Sequence, residues 1–282
     1  MKVETENLSK ELVVALEAAE RAGDLIKNYF GKQIEQQQKI VSDKSQGLVT
    51  QADLEAEKMI IDMIKSSFPD HNILAEESGA TSTSQEQLWV IDPLDGTNNF
   101  AHGIPHFSVS IAYCEDGKVE CGVVANPLTG EFCFAQRGRG AWLNGQLIKV
   151  GKETSLQEVI GVTGFYYERN ETIDVTLKVM RELFDRDIRG IRRFGSAALD
   201  LCHVGLGRFG VYFEYRLEPW DFAAGKLFVE EAGGRTSNCA GEDISIATTS
   251  MLATNGLLHE TMLEVTRPYD KPEFYVGNAA ST

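Results

Sequence analysis

Cysteine pairs, long apolar runs and an excess of basic residues are all missing from this chain of 282 residues. Its five cysteines form no CxxC pair, so no paired-thiol zinc or redox motif is present, and we expect buried free thiols in a reducing compartment. No apolar run is long enough to cross a membrane, and the charged N-terminal segment does not resemble a signal peptide. These absences predict a cytoplasmic protein without membrane attachment.

The charge balance is strongly acidic. The chain has 27 Lys and Arg against 42 Asp and Glu, for a formal net charge of −15. Nucleic acid is therefore not expected as a ligand, because a phosphate backbone requires a basic surface. A small anionic ligand would also be repelled unless bound cations reverse the local field, and clustered acidic residues thus become candidates for a metal site.

Hydrophobic periodicity predicts a mixed α/β fold. Helical spacing runs through residues 8–30, and a second helix is expected from about Ala52 to Phe68, with Thr50 as its N-cap and Asp53 completing a capping box. Residues 107–150 have the pattern of an antiparallel meander.

Beyond residue 155 the pattern changes to alternating strands and helices, which favours an α/β layer with mixed strand directions. Strands are expected at 159–163, 188–193, 210–215 and 251–254, and helices at 172–184, 196–205, 221–232 and 256–265. We expect two tightly packed subdomains, residues 1–154 and 155–268, followed by a flexible tail over 269–282.

A buried strand, Leu88 to Ile91, leads directly into two aspartates, Asp92 and Asp95. Pro93 restricts one backbone torsion between them, and Gly96 allows a tight turn after them. The two short carboxylates can then converge on one point, with oxygen ligands of the kind that Mg²⁺ prefers. The same Asp-Pro-x-Asp-Gly pattern is also a common turn composition, so it does not decide the function alone.

Two further acidic segments bear on the choice between a metal loop and a turn. Glu76 and Glu77 follow a predicted strand over Asn72–Ala75, and Asp221 stands beside Trp220 at the start of a helix of small residues. Paired acids in a loop are often only a solvated surface feature. An aspartate at a helix start can likewise serve only the helix dipole.

Taken together, these segments resemble the inositol monophosphatase family. The run from Asp92 to Thr97, followed by Asn99-Phe100, matches the first motif of that family, and Trp220-Asp221-x-Ala-Ala-Gly matches the second. The LVTQAD segment (48–53) and the FGSAALD segment (194–200) also fit, so the likeness covers about residues 10–265.

The resemblance implies a layered α-β-α-β-α sandwich of the sugar phosphatase type, usually a homodimer. It also implies a lithium-sensitive enzyme that uses two to three Mg²⁺ to hydrolyse a small polyol phosphate, most simply inositol 1- or 4-monophosphate. A 3'(2'),5'-bisphosphate nucleotidase and a fructose-1,6-bisphosphatase of the same superfamily are the alternatives. A metal-binding scaffold with little catalysis, acting through protein partners, is a further alternative.

The family's roles can be carried over residue by residue. The first Mg²⁺ would be held by Glu76, Asp92 and the Leu94 carbonyl. The second would be held by Asp92, Asp95 and Asp221, and Glu76 would share a third. Thr97 would orient the attacking water, so Glu76, Asp92 and Thr97 are the implied catalytic residues. The implied substrate contacts are Asp95, Gly96, Thr97, Gly195, Ser196, Ala197, Glu214 and Asp221.

One position departs from the family pattern. The family often has an aspartate immediately before the LVT segment, where it pairs with the threonine that orients water, but this chain has Gly47. Asp43 is near in sequence and is one candidate substitute. The departure puts the activation of water in doubt rather than the class of reaction.

Other motifs are weaker. The spacing Gly205-x-Gly207-x-x-Gly210 fits a dinucleotide fingerprint as a string, but a helix precedes it and a strand follows, where the fingerprint needs the reverse order. His102 and His106 follow the metal loop and can be read as structural loop residues or as neighbours of the site.

Overall fold

Two large β-sheets and the helices that cover them form the protein. The structure is a computed structural model and describes residues 8–32, 36–41, 44–82, 84–166 and 171–275. The helices are α1 (Lys10–Tyr29), α2 (Gln51–Ser67), α3 (Thr97–Ala101), α4 (Glu171–Asp185), α5 (Ala197–Gly205), α6 (Pro219–Glu231) and α7 (His259–Thr266).

The strands fall into three groups along the chain. A short hairpin comes first, β1 (Gln36–Val41) and β2 (Lys44–Thr50). The first large sheet contains β3 (Asn72–Ala75), β4 (Gly79–Ala80), β5 (Gln87–Asp95), β6 (Ser108–Glu115), β7 (Lys118–Asn126), β8 (Glu131–Gln136), β9 (Gly140–Leu143) and β10 (Gln146–Leu147). The second contains β11 (Ile160–Thr163), β12 (Gly190–Arg192), β13 (Val211–Leu217), β14 (Arg235–Ser237) and β15 (Thr249–Thr254).

Both large sheets are mixed in strand direction. The first has the order β10-β9-β8-β7-β6-β5-β3-β4, in which β3 and β5 are parallel and the meander from β5 to β10 is antiparallel. The second has the order β12-β11-β13-β15-β14, with β11 parallel to β12 and β13, and β15 antiparallel to β13 and β14. The predicted α/β class with mixed strand directions is confirmed.

Alternating side chains on the strands divide the core into layers. On β5, Trp89 and Ile91 pack with the apolar faces of α1 and α2, whereas Leu88 and Val90 pack with α5 and α6. On β13, Tyr212 packs with α5 and α6, and Phe213 belongs to the core under α4 and α7. The result is a five-layer α-β-α-β-α sandwich, as expected.

The two sheets lie on either side of the predicted subdomain boundary. Residues 72–147 build the first sheet and 160–254 the second, while α5 and α6 pack against both. The assignment of two subdomains stays a prediction, because α5 and α6 belong to a core that the two sheets share.

The C-terminal residues 269–275 are packed and do not belong to the flexible tail predicted over 269–282. Phe274 is buried against Tyr215, with ring centroids 6.1 Å apart, and the hydroxyls of Tyr275 and Ser250 are hydrogen-bonded at 2.7 Å. Residues 276–282 lie outside the described part of the chain. Within that part, no helix is long and apolar enough to span a membrane.

Candidate acidic metal site

Three buried or half-buried aspartates converge where β5 ends and α6 begins. Carboxylate oxygens of Asp92, Asp95 and Asp221 all lie within 4.8 Å of one another. Asp92 is 1% exposed and Asp95 is 8% exposed. The family resemblance predicts these three residues as ligands of one metal ion, and the fold brings Asp221 to Asp92 and Asp95 across more than a hundred residues of sequence.

A bulge in β5 explains how Asp92 and Asp95 share one side of the strand. Asp92 pairs with Ser110 and Asp95 with Ser108, so three steps on β5 match two on β6. In a regular strand, residues three positions apart have side chains on opposite faces. The extra residue of the bulge in β5 therefore puts the side chains of Asp92 and Asp95 on the same face. The Asp92 carboxylate also accepts a hydrogen bond from the Leu94 amide at 3.0 Å.

Gly96 closes the loop where a side chain could not. Its φ is +92°, in the left-handed region that glycine tolerates. A Cβ at this position would lie 3.1 Å from the His106 carbonyl oxygen and 3.2 Å from the Gly195 carbonyl oxygen. The turn therefore packs backbone directly against the segment that precedes α5.

Helix termini hold the other two carboxylates. Asp95 accepts hydrogen bonds from the Ser196 hydroxyl at 2.5 Å and from the Ala198 amide at 2.9 Å, at the start of α5. Asp221 accepts from the Glu218 amide at 2.8 Å and completes a capping box at the start of α6. In both residues the accepting atom is Oδ2, so these hydrogen bonds fix the orientation of each carboxylate through one oxygen.

The electrostatics of the cluster favour a bound cation. Burial raises the pKa of Asp92 well above its ordinary value, and the charges of Glu76, Asp95 and Asp221 raise it further. Burial raises the pKa of Asp95 to about 7. The pKa of Asp221 is also raised, mainly by burial and next by the charge of Asp95. Buried like charges destabilise the ionised state, and a hard divalent cation is the partner that oxygen ligands of this kind fit.

Glu76 lies beside the cluster but outside the group of three. It follows β3, and its amide donates to the Ile91 carbonyl oxygen at 3.1 Å. A hydrogen bond between its side chain and Asp92 contributes to the raised pKa of Asp92. The Leu94 carbonyl oxygen lies 3.0 Å from the Thr97 hydroxyl. The metal-ligand roles of Glu76 and Leu94 stay predictions.

A cleft opens beside the three aspartates. Seven predicted site residues line it, namely Asp95, Gly96, Gly195, Ser196, Ala197, Glu214 and Asp221. Seven others that sequence reasoning did not assign also line it: Asn98, Gly164, Phe165, Tyr166, Arg193, Asp200 and Leu217. Asp92 and Thr97 are buried and are not among the lining residues.

Glu214 belongs to the floor of the cleft. It is 7% exposed and accepts a hydrogen bond from the Tyr212 hydroxyl at 2.8 Å. Burial raises its pKa to about 8, while the Tyr212 hydrogen bond and the Arg193 charge lower it. Glu214 is therefore mostly protonated at neutral pH, and it can both donate to and accept from a hydroxyl group.

Thr97 pairs with a carboxylate that sequence reasoning treated only as a helix cap. Its hydroxyl lies 3.1 Å from Asp53 Oδ1, and Asp53 is completely buried. The other Asp53 oxygen accepts from the Thr50 amide at 2.8 Å and from the Thr50 hydroxyl at 2.5 Å. The LVTQAD segment contained this residue, but no sequence signal placed it beside Thr97. Asp43 lies outside the described residues.

The two loop histidines differ in their surroundings. His102 is exposed, and its Nδ1 lies 2.8 Å from the Asn98 carbonyl oxygen. His106 Nε2 lies 3.6 Å from Asp200 Oδ1, and Asp200 lines the cleft. His106 therefore lies next to a residue that lines the cleft but is not itself among the lining residues.

Fold and site together define a layered α/β protein with a cluster of three aspartates that could hold a metal ion, and comparisons give the family. Residues 7–271 match the inositol monophosphatase family. The fructose-1,6-bisphosphatase/inositol-1-monophosphatase of Thermotoga maritima is 42% identical over 218 residues, which are 77% of this chain and 82% of the relative. The Escherichia coli protein named Nus factor SuhB is 42% identical over 255 residues, 89% of this chain and 94% of the relative.

A solved protein structure is also similar to this chain. The extragenic suppressor protein suhB from Bartonella henselae superposes with a TM-score of 0.85 at 34% identity, covering 92% of this chain and 99% of that one. The chain belongs to the inositol monophosphatase family, and this membership supports a phosphatase.

Proposed function

We propose that the protein is a Mg²⁺-dependent phosphatase that hydrolyses a small polyol phosphate monoester, inositol 1- or 4-monophosphate being the reference substrate. The observation that carries this proposal is the convergence of the Asp92, Asp95 and Asp221 carboxylates within 4.8 Å beside a cleft that also contains Glu214. The name of the Thermotoga maritima relative includes inositol-1-monophosphatase activity, which supports the same substrate class.

The donor set implied by the family likeness would hold two Mg²⁺, and a third more weakly. The first Mg²⁺ would be bound by Glu76, Asp92 and the Leu94 carbonyl. The second Mg²⁺ would be bound by Asp92, Asp95 and Asp221, and Glu76 would share the third. The oxygen-only ligands and the raised pKa values of the aspartates suit a hard cation. When bound, Mg²⁺ supplies charge neutralisation for the phosphate and acidifies a water molecule.

The residues of the chain position the reactants. The amides of Gly96 and Thr97 would bind phosphate oxygens, and Ser196 holds the Asp95 carboxylate in its orientation. Glu214 would exchange hydrogen bonds with a polyol hydroxyl, next to Gly195 and Ala197 in the cleft wall. Phosphoryl transfer depends mainly on such positioning and on charge neutralisation, so no covalent nucleophile is required.

Thr97 would orient the water that attacks phosphorus, and Asp53 would hold Thr97. The Thr97 hydroxyl has one proton, which either Asp53 Oδ1 at 3.1 Å or the Leu94 carbonyl at 3.0 Å can accept. The hydroxyl oxygen then remains free to accept from water. Water would attack phosphorus in line and release one proton to solvent, while the bond from phosphorus to the polyol oxygen breaks. The polyol oxygen would take up one proton from solvent, so the products are the polyol and inorganic phosphate.

The experiment that tests this function is phosphate release from inositol 1-phosphate, measured with Mg²⁺, without Mg²⁺ and with added Li⁺. We expect Mg²⁺-dependent release that Li⁺ inhibits. Glycerol 2-phosphate, fructose 1,6-bisphosphate and adenosine 3',5'-bisphosphate complete the panel, and dominant turnover of the last would favour a nucleotidase. Metal binding without turnover of any ester would support the scaffold alternative.

We further propose a cytoplasmic homodimer, on the basis of the family likeness. Sedimentation equilibrium of the purified protein, with a mass near twice 31.2 kDa expected, tests the dimer. A monomer mass at micromolar concentration would contradict it.

A further inference from the structure

A second buried carboxylate lies on α2, one helical turn beyond Asp53. Glu57 is 4% exposed, and its Oε2 accepts a hydrogen bond from the Glu77 amide at 2.9 Å. Residues four positions apart lie on the same face of a helix, so Asp53 and Glu57 form one acidic row along α2. The proposed reaction uses Asp53 through its contact with Thr97, but it assigns no role to Glu57.

The Glu77 amide belongs to the tight turn that joins β3 to β4. The register of these two strands pairs Ala75 with Gly79, so the turn contains only residues 76–78. Backbone amides that are withdrawn from water need an acceptor, and Glu57 supplies one to this turn from the neighbouring helix layer.

The register of the sheet places Glu76 opposite Asp92. The parallel pairing of β3 with β5 matches Ala75 with Ile91, so the next residues on the two strands are Glu76 and Asp92. The Glu76 amide donates to the Ile91 carbonyl oxygen at 3.1 Å. Burial raises the pKa of Asp92 most, and the charge of Glu76 raises it next, because the two carboxylates lie close together.

Two consecutive amides of the turn are thus held from different layers. The Ile91 carbonyl fixes the Glu76 amide within the sheet, and the Glu57 carboxylate fixes the Glu77 amide against α2. Burial raises the pKa of Asp53 to about 6, with a contribution from the charge of Glu76, so Glu76 also lies near α2. The position of the Glu76 carboxylate therefore depends on both anchors of its turn.

We propose that Glu57 is a positioning residue, which holds the turn of residues 76–78 so that Glu76 can bind Mg²⁺. This inference rests on the proposed function, in which Glu76 is a predicted ligand of the first metal ion. Glu57 acts through the amide next to that ligand and does not touch the metal itself. Removal of a hydrogen-bond partner that orients a metal ligand typically lowers metal affinity by about 10- to 100-fold.

The test is a double-mutant cycle on Mg²⁺ affinity, measured by calorimetry in Glu57→Met, Glu76→Gln and the double variant. Methionine has a similar volume and favours a helix, but its thioether is only a weak acceptor. We expect Glu57→Met to weaken Mg²⁺ binding by about tenfold when Glu76 is present, and by less than about twofold in the Glu76→Gln background. A residue that only stabilises the fold would not show this coupling.

Two further variants separate the hydrogen bond from the charge and from the helix. Glu57→Gln keeps an oxygen that can accept from the Glu77 amide, so its Mg²⁺ affinity should stay within about threefold of the wild type. Glu55→Met is the matched control on α2, because the Glu55 carboxylate accepts from the Tyr29 hydroxyl at 2.8 Å and from the Gln51 amide at 2.6 Å. This control should leave Mg²⁺ affinity unchanged.

Urea unfolding in EDTA shows whether each variant is folded, and Glu57→Ala replaces Glu57→Met in the cycle if the methionine variant is not. Equal losses of Mg²⁺ affinity with and without Glu76 would overturn the proposal, because Glu57 would then act independently of Glu76. An unchanged affinity in Glu57→Met would also overturn it, and so would a loss in Glu57→Gln as large as that in Glu57→Met.

Failure of the proposed function gives a different result. Mg²⁺ binding without release of phosphate from any ester would reject the phosphatase alone, and the cycle would still decide the role of Glu57. Absence of Mg²⁺ binding to the wild type would reject both proposals.

Discussion

The hydroxyl of Thr97 lies 3.1 Å from the carboxylate of Asp53, across 44 residues of sequence. The same carboxylate caps α2 through Thr50. Asp53 thus ties the first helix layer to the loop that follows the metal ligands. In a chain with Gly47 before the LVT segment, Asp53 is the acidic side chain that the structure places against Thr97.

Asp53→Ala should lower turnover and stability together, because one carboxylate serves Thr97 and the α2 cap. Loss of the cap should reduce the free energy of unfolding by about 0.5–2 kcal/mol. An aspartate restored at position 47, in Gly47→Asp/Asp53→Ala, should recover turnover but not stability. Steady-state kinetics and urea unfolding of both variants measure the two effects separately.

Gly47→Asp alone is the control for that comparison, and it should raise or preserve turnover. A clear loss of activity in the single variant would show that the loop before the LVT segment has a different construction here. Wild-type turnover in Asp53→Ala, despite its lower stability, would mean that Asp53 matters only as a helix cap.

The metal-free protein should lose stability as the pH rises from about 4 to 7. Burial raises the pKa of Asp95 from 3.8 to about 7, so over this window the folded state keeps a proton that the unfolded chain has lost. Above pH 7 the contribution of Asp95 levels off, whereas the pKa of Glu214, which burial raises to about 8, extends the loss of stability toward pH 8. Thermal unfolding in EDTA across this range measures the effect, and saturating Mg²⁺ should reverse it at pH 7.5.

Asp95→Asn should remove part of that pH dependence and abolish hydrolysis. The amide oxygen can still accept from the Ser196 hydroxyl and the Ala198 amide, so the loop should keep its conformation. Without the buried charge, the variant should unfold at a higher temperature than the wild type in EDTA at pH 7.5. Wild-type turnover in this variant would remove Asp95 from the site.

Asp221→Asn should shift the Mg²⁺ dependence of turnover to higher concentration. The variant loses a charged ligand of the proposed second metal, whereas the amide oxygen can still cap α6 through the Glu218 amide. A Mg²⁺ titration of kcat, with Asp62→Asn on the exposed face of α2 as the charge-matched control, measures the shift. An unchanged titration would exclude Asp221 from metal binding.

Glu214→Gln should leave activity at pH 7 within about threefold, because the wild-type side chain is mostly protonated there. Burial raises the pKa of Glu214 to about 8, so above that pH the wild type gains a negative charge in the cleft. KM for a phosphate ester should therefore rise above pH 8 in the wild type but not in the variant. Parallel KM profiles from pH 6 to 9.5 would contradict the raised pKa of Glu214.

Local patterns predicted much of the fold. The N-cap at Thr50, the capping box with Asp53 and the meander after residue 107 depend on nearby residues, and the structure has all three. The hairpin of β1 and β2 and the short strand β14 were not predicted, because short polar strands lack a clear hydrophobic alternation.

The sequence by itself determined the acidic loop of Asp92 and Asp95, since a strand, a proline and a glycine in succession specify its local geometry. Only the tertiary structure decided what faces that loop. Asp53 reaches Thr97, Ser196 reaches Asp95, and Arg193 enters the cleft through the packing of separate layers. Such contacts depend on how distant segments bury their apolar faces together, and no local pattern encodes those distances.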